Sequence, residues 1–203
     1  MAENNFKHIQ EKIVYTFVVG LIWGLLEITL SALTGSLLLF SRGIVFSFFA
    51  VLVLLFGKRF VPYKLSLILV ALLTIIIKSA SSGISVNYII AIFSEALIAE
   101  GILYFLGQSK ISAMFLGGIL FLYTFIHGLL FHGTLPNTYI EYIYKGMLAG
   151  LTGIETTSPV LSYFVFAVLV VVAGIFSGYI LWLFTEKFAE KTNSEIRSFL
   201  NES

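Results

Sequence analysis

Six apolar runs of about 20 residues follow one another along the chain, separated by short polar breaks. A bilayer-spanning helix needs about 20 mostly apolar residues. The runs at Ile13–Leu33, Leu37–Phe56, Tyr63–Ser82, Ile84–Leu106, Ile111–Phe131 and Pro159–Phe184 meet that length. The second is interrupted by Ser41-Arg42-Gly43, so it starts either at Leu37 or near Ile44. The later start would leave a loop or re-entrant piece from Ser31 to Gly43. Gly57–Pro62 carries Gly, Lys, Arg and Pro and breaks the second run from the third. Gly107-Gln108-Ser109-Lys110 is a tight turn that makes runs four and five antiparallel neighbours. The polar start, MAENNFKHIQEK, leads into an apolar run with no cleavage pattern, so the first run reads as a retained span. The pattern predicts one domain over residues 1–203, an all-α integral membrane protein built as a compact bundle of six transmembrane helices.

Composition strengthens that reading. Charged residues make up 11% of the chain, against about 25% in an ordinary soluble domain, too few to coat a water-facing surface. A net charge of +1 gives no sign of nucleic-acid binding. The chain has no Cys, which excludes disulfides, zinc–thiolate sites and thiol catalysis. The basic residues then set an orientation, because cytoplasmic ends collect Lys and Arg. With six spans and both termini inside, Lys7, Lys12, Lys58, Arg59, Lys64, Lys110, Lys187, Lys191 and Arg197 fall on the inner side. Arg42, Lys78 and Lys145 fall on the outer side. The bias predicts cytoplasmic N and C termini, with the long connections, His132–Ser158 above all, on the outer face.

Four charges break the apolar runs: Glu27, Lys78, Glu95 and Glu100. A charge near the middle of a bilayer costs on the order of 3 kcal/mol on insertion scales, so such residues face a bundle interior or a polar cavity. Glu27 lies roughly 20 Å along an outward-running helix at about 1.5 Å per residue. Lys78, Asn87, Glu95 and His127 fall at a similar depth on spans three, four and five. Shared depth predicts one outward-facing polar cavity lined by Glu27, Lys78, Asn87, Glu95 and His127, and Tyr123 joins them as a candidate substrate-binding residue. The plainer readings are that Lys78 snorkels to the outer headgroups and that His127 is a core histidine bonded to a neighbouring helix. Glu100 lies about 140° around the helix from Glu95 and deeper, which suits bonding between helices or contact with a partner. Tyr88, Tyr123, Tyr139 and Tyr142 are candidates to stack on a flat ring, and His127 or His132 to reach the cobalt of a corrinoid. Thr16, Gly20, Gly24, Glu27 and Ser31 form one stripe on span one. Its Gly20-x-x-x-Gly24 pair lets another helix approach closely, either inside the bundle or as a groove for a partner protein. Gly174-x-x-x-Gly178 offers a second close-packing face.

Several chemistries have no motif here. There is no P-loop, no HExxH and no GxSxG. Glu95, Glu100 and His127 invite comparison with CAAX-type intramembrane proteases, but the adjacent Glu-Glu pair is missing and His132 to Asn137 is one residue too long. No catalytic residue, cofactor or metal is therefore assigned.

The run Gly20-Leu-Ile-Trp-Gly-Leu-Leu-Glu27, with Lys78-Ser-x-Ser-x-Gly83 and Ala91-Ile-x-x-Glu95-Ala-x-x-x-Glu100, resembles the substrate-binding S component of energy-coupling factor (ECF) transporters. The resemblance covers essentially the whole chain. It implies capture of a vitamin or related micronutrient at the outer face of a bacterial cytoplasmic membrane. It also implies partnership with a transmembrane coupling protein and cytoplasmic ATPases, and toppling of the bundle to deliver the ligand inward. The family's span-one Ala-x-x-x-Ala meets the coupling helices. Gly20 and Gly24 hold that position here, keeping the small size but departing in residue type. The alternatives are a small membrane protein that assembles a larger complex, with its glutamates bonded between helices, an intramembrane enzyme, and an ion-coupled carrier using Glu27 or Glu95. No inverted repeat is visible to favour the carrier.

Overall fold

A computed structural model describes residues 2–34, 39–131, 145–150, 153 and 159–201. Among the described residues, six long helices carry the fold: α1 (Ala2–Leu33), α2 (Leu39–Phe60), α3 (Ser66–Ser82), α4 (Val86–Phe105), α5 (Lys110–Phe131) and α6 (Pro159–Asn201). No strand occurs among the described residues. Five of the six helices contain stretches long and apolar enough to cross a bilayer: Lys12–Leu33, Arg42–Phe60, Val86–Phe105, Lys110–Phe131 and Val160–Lys191. α3 is apolar but shorter, at 17 residues. At about 1.5 Å per residue it extends roughly 25 Å.

The helix boundaries differ from the apolar runs in instructive places. α1 starts at Ala2 and α6 continues to Asn201, well past the apolar stretches. Their polar ends contain Ala, Glu, Lys and Gln, good helix formers, and no internal Gly or Pro stops them. Arg42 and Gly43 lie inside α2 rather than in a loop, because one Gly costs a helix only about 1 kcal/mol. Residues 35–38 lie outside the described residues. α3 begins at Ser66, later than Tyr63, because Pro62 and a left-handed Leu65 (φ 62°) turn the chain first.

α2 is the central element. It packs on α1, α3, α4, α5 and α6, which form an arc around it in the order α1–α3–α4–α5–α6. Its Ala50, Val51, Leu54 and Leu55 are buried in the main core with Trp23, Leu67, Val70, Leu116, Leu120 and Phe121. Outward faces carry Ile13, Phe17, Leu21, Ile76, Phe115, Phe164 and Phe176, all large, apolar and exposed. That apolar exterior is the surface of a multi-pass membrane protein, whose solvent on those faces is lipid.

Two glycine faces fix how closely the helices approach. A Cβ on Gly117 would lie 2.0 Å from the Gly174 carbonyl oxygen, and one on Gly178 would lie 2.1 Å from the Ala113 carbonyl oxygen. α5 and α6 therefore touch backbone to backbone, as the Gly174-x-x-x-Gly178 spacing predicts. On α1, a Cβ at Gly20 would meet Leu73 Cβ at 2.8 Å, and one at Gly24 would meet Ile77 Cγ2 at 2.8 Å. Thr74 Oγ1 of α3 also donates to the Gly20 carbonyl at 3.2 Å. This corrects the docking-groove reading: α3 of the same chain already fills the face at Gly20 and Gly24, so no partner can seat there.

Residues 145–150 form a short helical segment whose Leu148 packs with Phe166 of α6 and with Phe125 and Leu129 of α5. His132, Tyr139, Tyr142 and most of the long connection lie outside the described residues.

Candidate functional site: a polar cavity at one end of the bundle

The turn between α3 and α4 brings the C-terminal end of α3 beside the N-terminal end of α4. Gly83 makes that turn possible with a left-handed φ of 77°. The C-terminal parts of α1 and α5 and the N-terminal part of α2 reach the same end. Between these elements lies a cavity of about 450 Å³. Glu27, Lys78, Asn87, Glu95, Tyr123 and His127 all line it. Five chain segments, with up to 100 positions between them, thus contribute to one space.

Within the cavity the six residues are placed differently. Lys78 Nζ donates to Glu27 Oε2 at 2.5 Å, joining α3 to α1. Both side chains are buried. Lys78 therefore does not snorkel to the headgroups: an ion pair inside the bundle replaces that interaction. Its ammonium also lies 5.1 Å from the Tyr88 ring centroid and 5.4 Å from that of Phe46, within the roughly 6 Å reach of a cation–π contact. Glu95 is buried, and the Thr124 hydroxyl approaches its Oε1 at 3.4 Å. Tyr123, half-buried, donates to the Ile90 carbonyl at 3.4 Å. His127 is buried and stacks on Phe131, ring centroids 4.5 Å apart. Asn87 is exposed at the first turn of α4. The Tyr88 hydroxyl donates to the Gly83 carbonyl at 2.5 Å and pairs with Ser79 Oγ at 2.8 Å, bracing the turn.

Among the lining residues absent from the predicted set are Arg42 and Phe46. Arg42 is half-buried and lies over the Phe46 ring at 5.6 Å. The available signal was their spacing of four, which stacks them on one face of α2.

Glu100 belongs to a different construction. Lys58 Nζ donates to Glu100 Oε1 at 2.6 Å and to the Tyr63 carbonyl at 2.9 Å, with Ser66 Oγ at 3.5 Å. Glu100 accepts further bonds from the backbone N–H of Leu65 at 2.9 Å and of Leu67 at 3.2 Å. These are orphan donors at the start of α3, where a carboxylate also meets the positive end of the helix dipole. The ammonium thus faces three acceptors and the carboxylate three donors. This cluster clamps α2, α3 and α4 together at the end of α3 opposite Lys78.

Among the described residues, no group of three His, Cys, Asp or Glu side chains converges to hold a metal ion. Comparison with protein-family models, with curated proteins and with solved structures finds no match to this chain.

Proposed function

We propose that this protein is the membrane-embedded substrate-capture subunit of an ECF-type importer, binding a vitamin-like small molecule in the cavity between α1, α2, α3, α4 and α5. The observation that carries the reading is that cavity: about 450 Å³, with Glu27, Lys78, Asn87, Glu95, Tyr123 and His127 on its walls. Small-molecule sites run about 300–1,000 Å³ and combine apolar walls with a few placed polar groups. Buried carboxylates in a membrane bundle are costly and mark functional sites. In this reading α3 completes six spans, both termini lie in the cytoplasm of a bacterium, and the cavity opens outward. A transmembrane coupling protein and cytoplasmic ATPases supply the energy. They must dock elsewhere than on Gly20 and Gly24.

Native mass spectrometry of the protein purified in mild detergent from cells grown in rich medium tests the proposal. A stoichiometric adduct of a few hundred daltons, or co-purified coupling and ATPase subunits, is the expected result. A protein that carries neither would overturn it in favour of a structural role in a larger membrane complex.

A further inference from the structure

The cavity holds two buried carboxylates and one buried ammonium. Glu27 and Lys78 neutralise each other at 2.5 Å. No ion pair joins Glu95 to Lys78 or to Arg42, and among the described residues its hydrogen-bond partner is the Thr124 hydroxyl at 3.4 Å. A neutral hydroxyl at that distance compensates poorly for a carboxylate removed from water. Arg42 is half-buried at the same cavity and rests on Phe46, so its charge can be satisfied by water. Among the described residues, the cavity group lacking a counter-charge is Glu95.

The cavity also shows what kind of counter-charge suits it. Lys78 is an internal example: one cation held by one carboxylate and by the faces of Tyr88 and Phe46. Carboxylate plus aromatic ring is the recognition chemistry of organic cations. Glu95 lines the same cavity as a further aromatic side chain, Tyr123. Tyr123 precedes Thr124 on α5 and, like it, lines the cavity. Among the described residues no three His, Cys, Asp or Glu side chains converge there, so the cavity offers no side-chain cluster that points to a metal ion. We infer that the ligand carries a positive charge on nitrogen, as a protonated amine or a quaternary or protonated heterocycle, and that this charge seats on Glu95 with its ring against Tyr123. This deepens the capture reading and rests on it.

The test uses the full-length protein in detergent, as wild type, Glu95→Gln and Gly128→Leu. Gly128 lines the cavity one helical turn beyond Thr124, and a Cβ there meets nothing within 4 Å. Leu at that position is the variant designed to reduce the cavity volume. Native mass spectrometry identifies any retained molecule. Thermal unfolding after ligand removal then compares three probes of similar size: 2-phenylethylammonium, 2-phenylethanol and 3-phenylpropanoate. The expected result is a cationic adduct at least ten-fold depleted in Glu95→Gln and in Gly128→Leu, with stabilisation of wild type by the ammonium probe alone. A retained molecule that is neutral or anionic would overturn the charge assignment and leave substrate capture standing. A retained cation indifferent to Glu95→Gln would overturn the role of Glu95. No adduct and no stabilising probe would overturn capture itself. Should Glu95→Gln not fold, the probe comparison on wild type still decides the charge.

Discussion

Glu27 and Lys78, 51 positions apart, are bonded to each other at 2.5 Å across the α1–α3 interface. Each spends its charge on the other, so neither offers a ligand a full ionic partner. The pair lies beside the cavity and also holds together the helices whose contact Gly20 and Gly24 make close. Removing one member of a buried pair leaves an uncompensated charge and costs about 3–5 kcal/mol. Glu27→Gln and Lys78→Met should each destabilise on that scale, and the double variant should lose much less than their sum. Thermal unfolding of the four proteins in detergent measures the coupling; additive losses would show that the pair does not form.

Glu95 and Glu100, five positions apart on α4, should respond in opposite ways to the same substitution. Glu100→Gln removes the anion that Lys58 and two backbone N–H groups share, and should cost about 3–5 kcal/mol. The fraction that folds should keep its ligand. Glu95→Gln replaces a buried carboxyl group that has no ionic partner among the described residues, and should leave stability unchanged or raised while ligand retention falls. Parallel unfolding and adduct measurements on both variants separate a clamp from a binding residue.

Glycine substitutions should sort by what a Cβ would strike. At Gly117 and Gly178 it would enter the backbone of the facing helix at 2.0 and 2.1 Å. Gly117→Ala and Gly178→Ala should therefore push α5 and α6 apart, with losses of about 1–3 kcal/mol or more. Gly128→Ala meets nothing within 4 Å and should fold like wild type. Gly20→Leu and Gly24→Leu should disturb the fold and ligand retention together, since α3 occupies that face. Survival of binding in those two would mean that α1 and α3 are not packed as described.

The orientation of the bundle is open to direct labelling, because the chain has no Cys to remove. Ser81 at the end of α3 and Lys110 at the start of α5 are both exposed. With cytoplasmic termini and α3 spanning, a membrane-impermeant maleimide should label Ser81→Cys on intact cells and Lys110→Cys only after lysis. The reverse pattern would invert the bundle and turn the cavity inward.

The sequence by itself determined which residues must leave the lipid. The cost of a charge in hydrocarbon belongs to each residue singly, so Glu27, Lys78, Glu95 and Glu100 stood out without any knowledge of their neighbours. Apolar run length likewise marked the helices, and four-residue spacing marked the glycine faces. Shared depth along antiparallel helices was enough to group Glu27, Lys78, Asn87, Glu95 and His127, because rise per residue is fixed. What only the tertiary structure decided is pairing. Which helix lies beside which is set by packing around α2 and has no period in the sequence. Hence Lys78 meets Glu27 rather than lipid headgroups, and Lys58, read simply as a cytoplasmic charge, meets Glu100 42 positions away. A glycine face announces that something approaches closely. Whether that is α3 or another protein depends on three-dimensional order, and here it is α3.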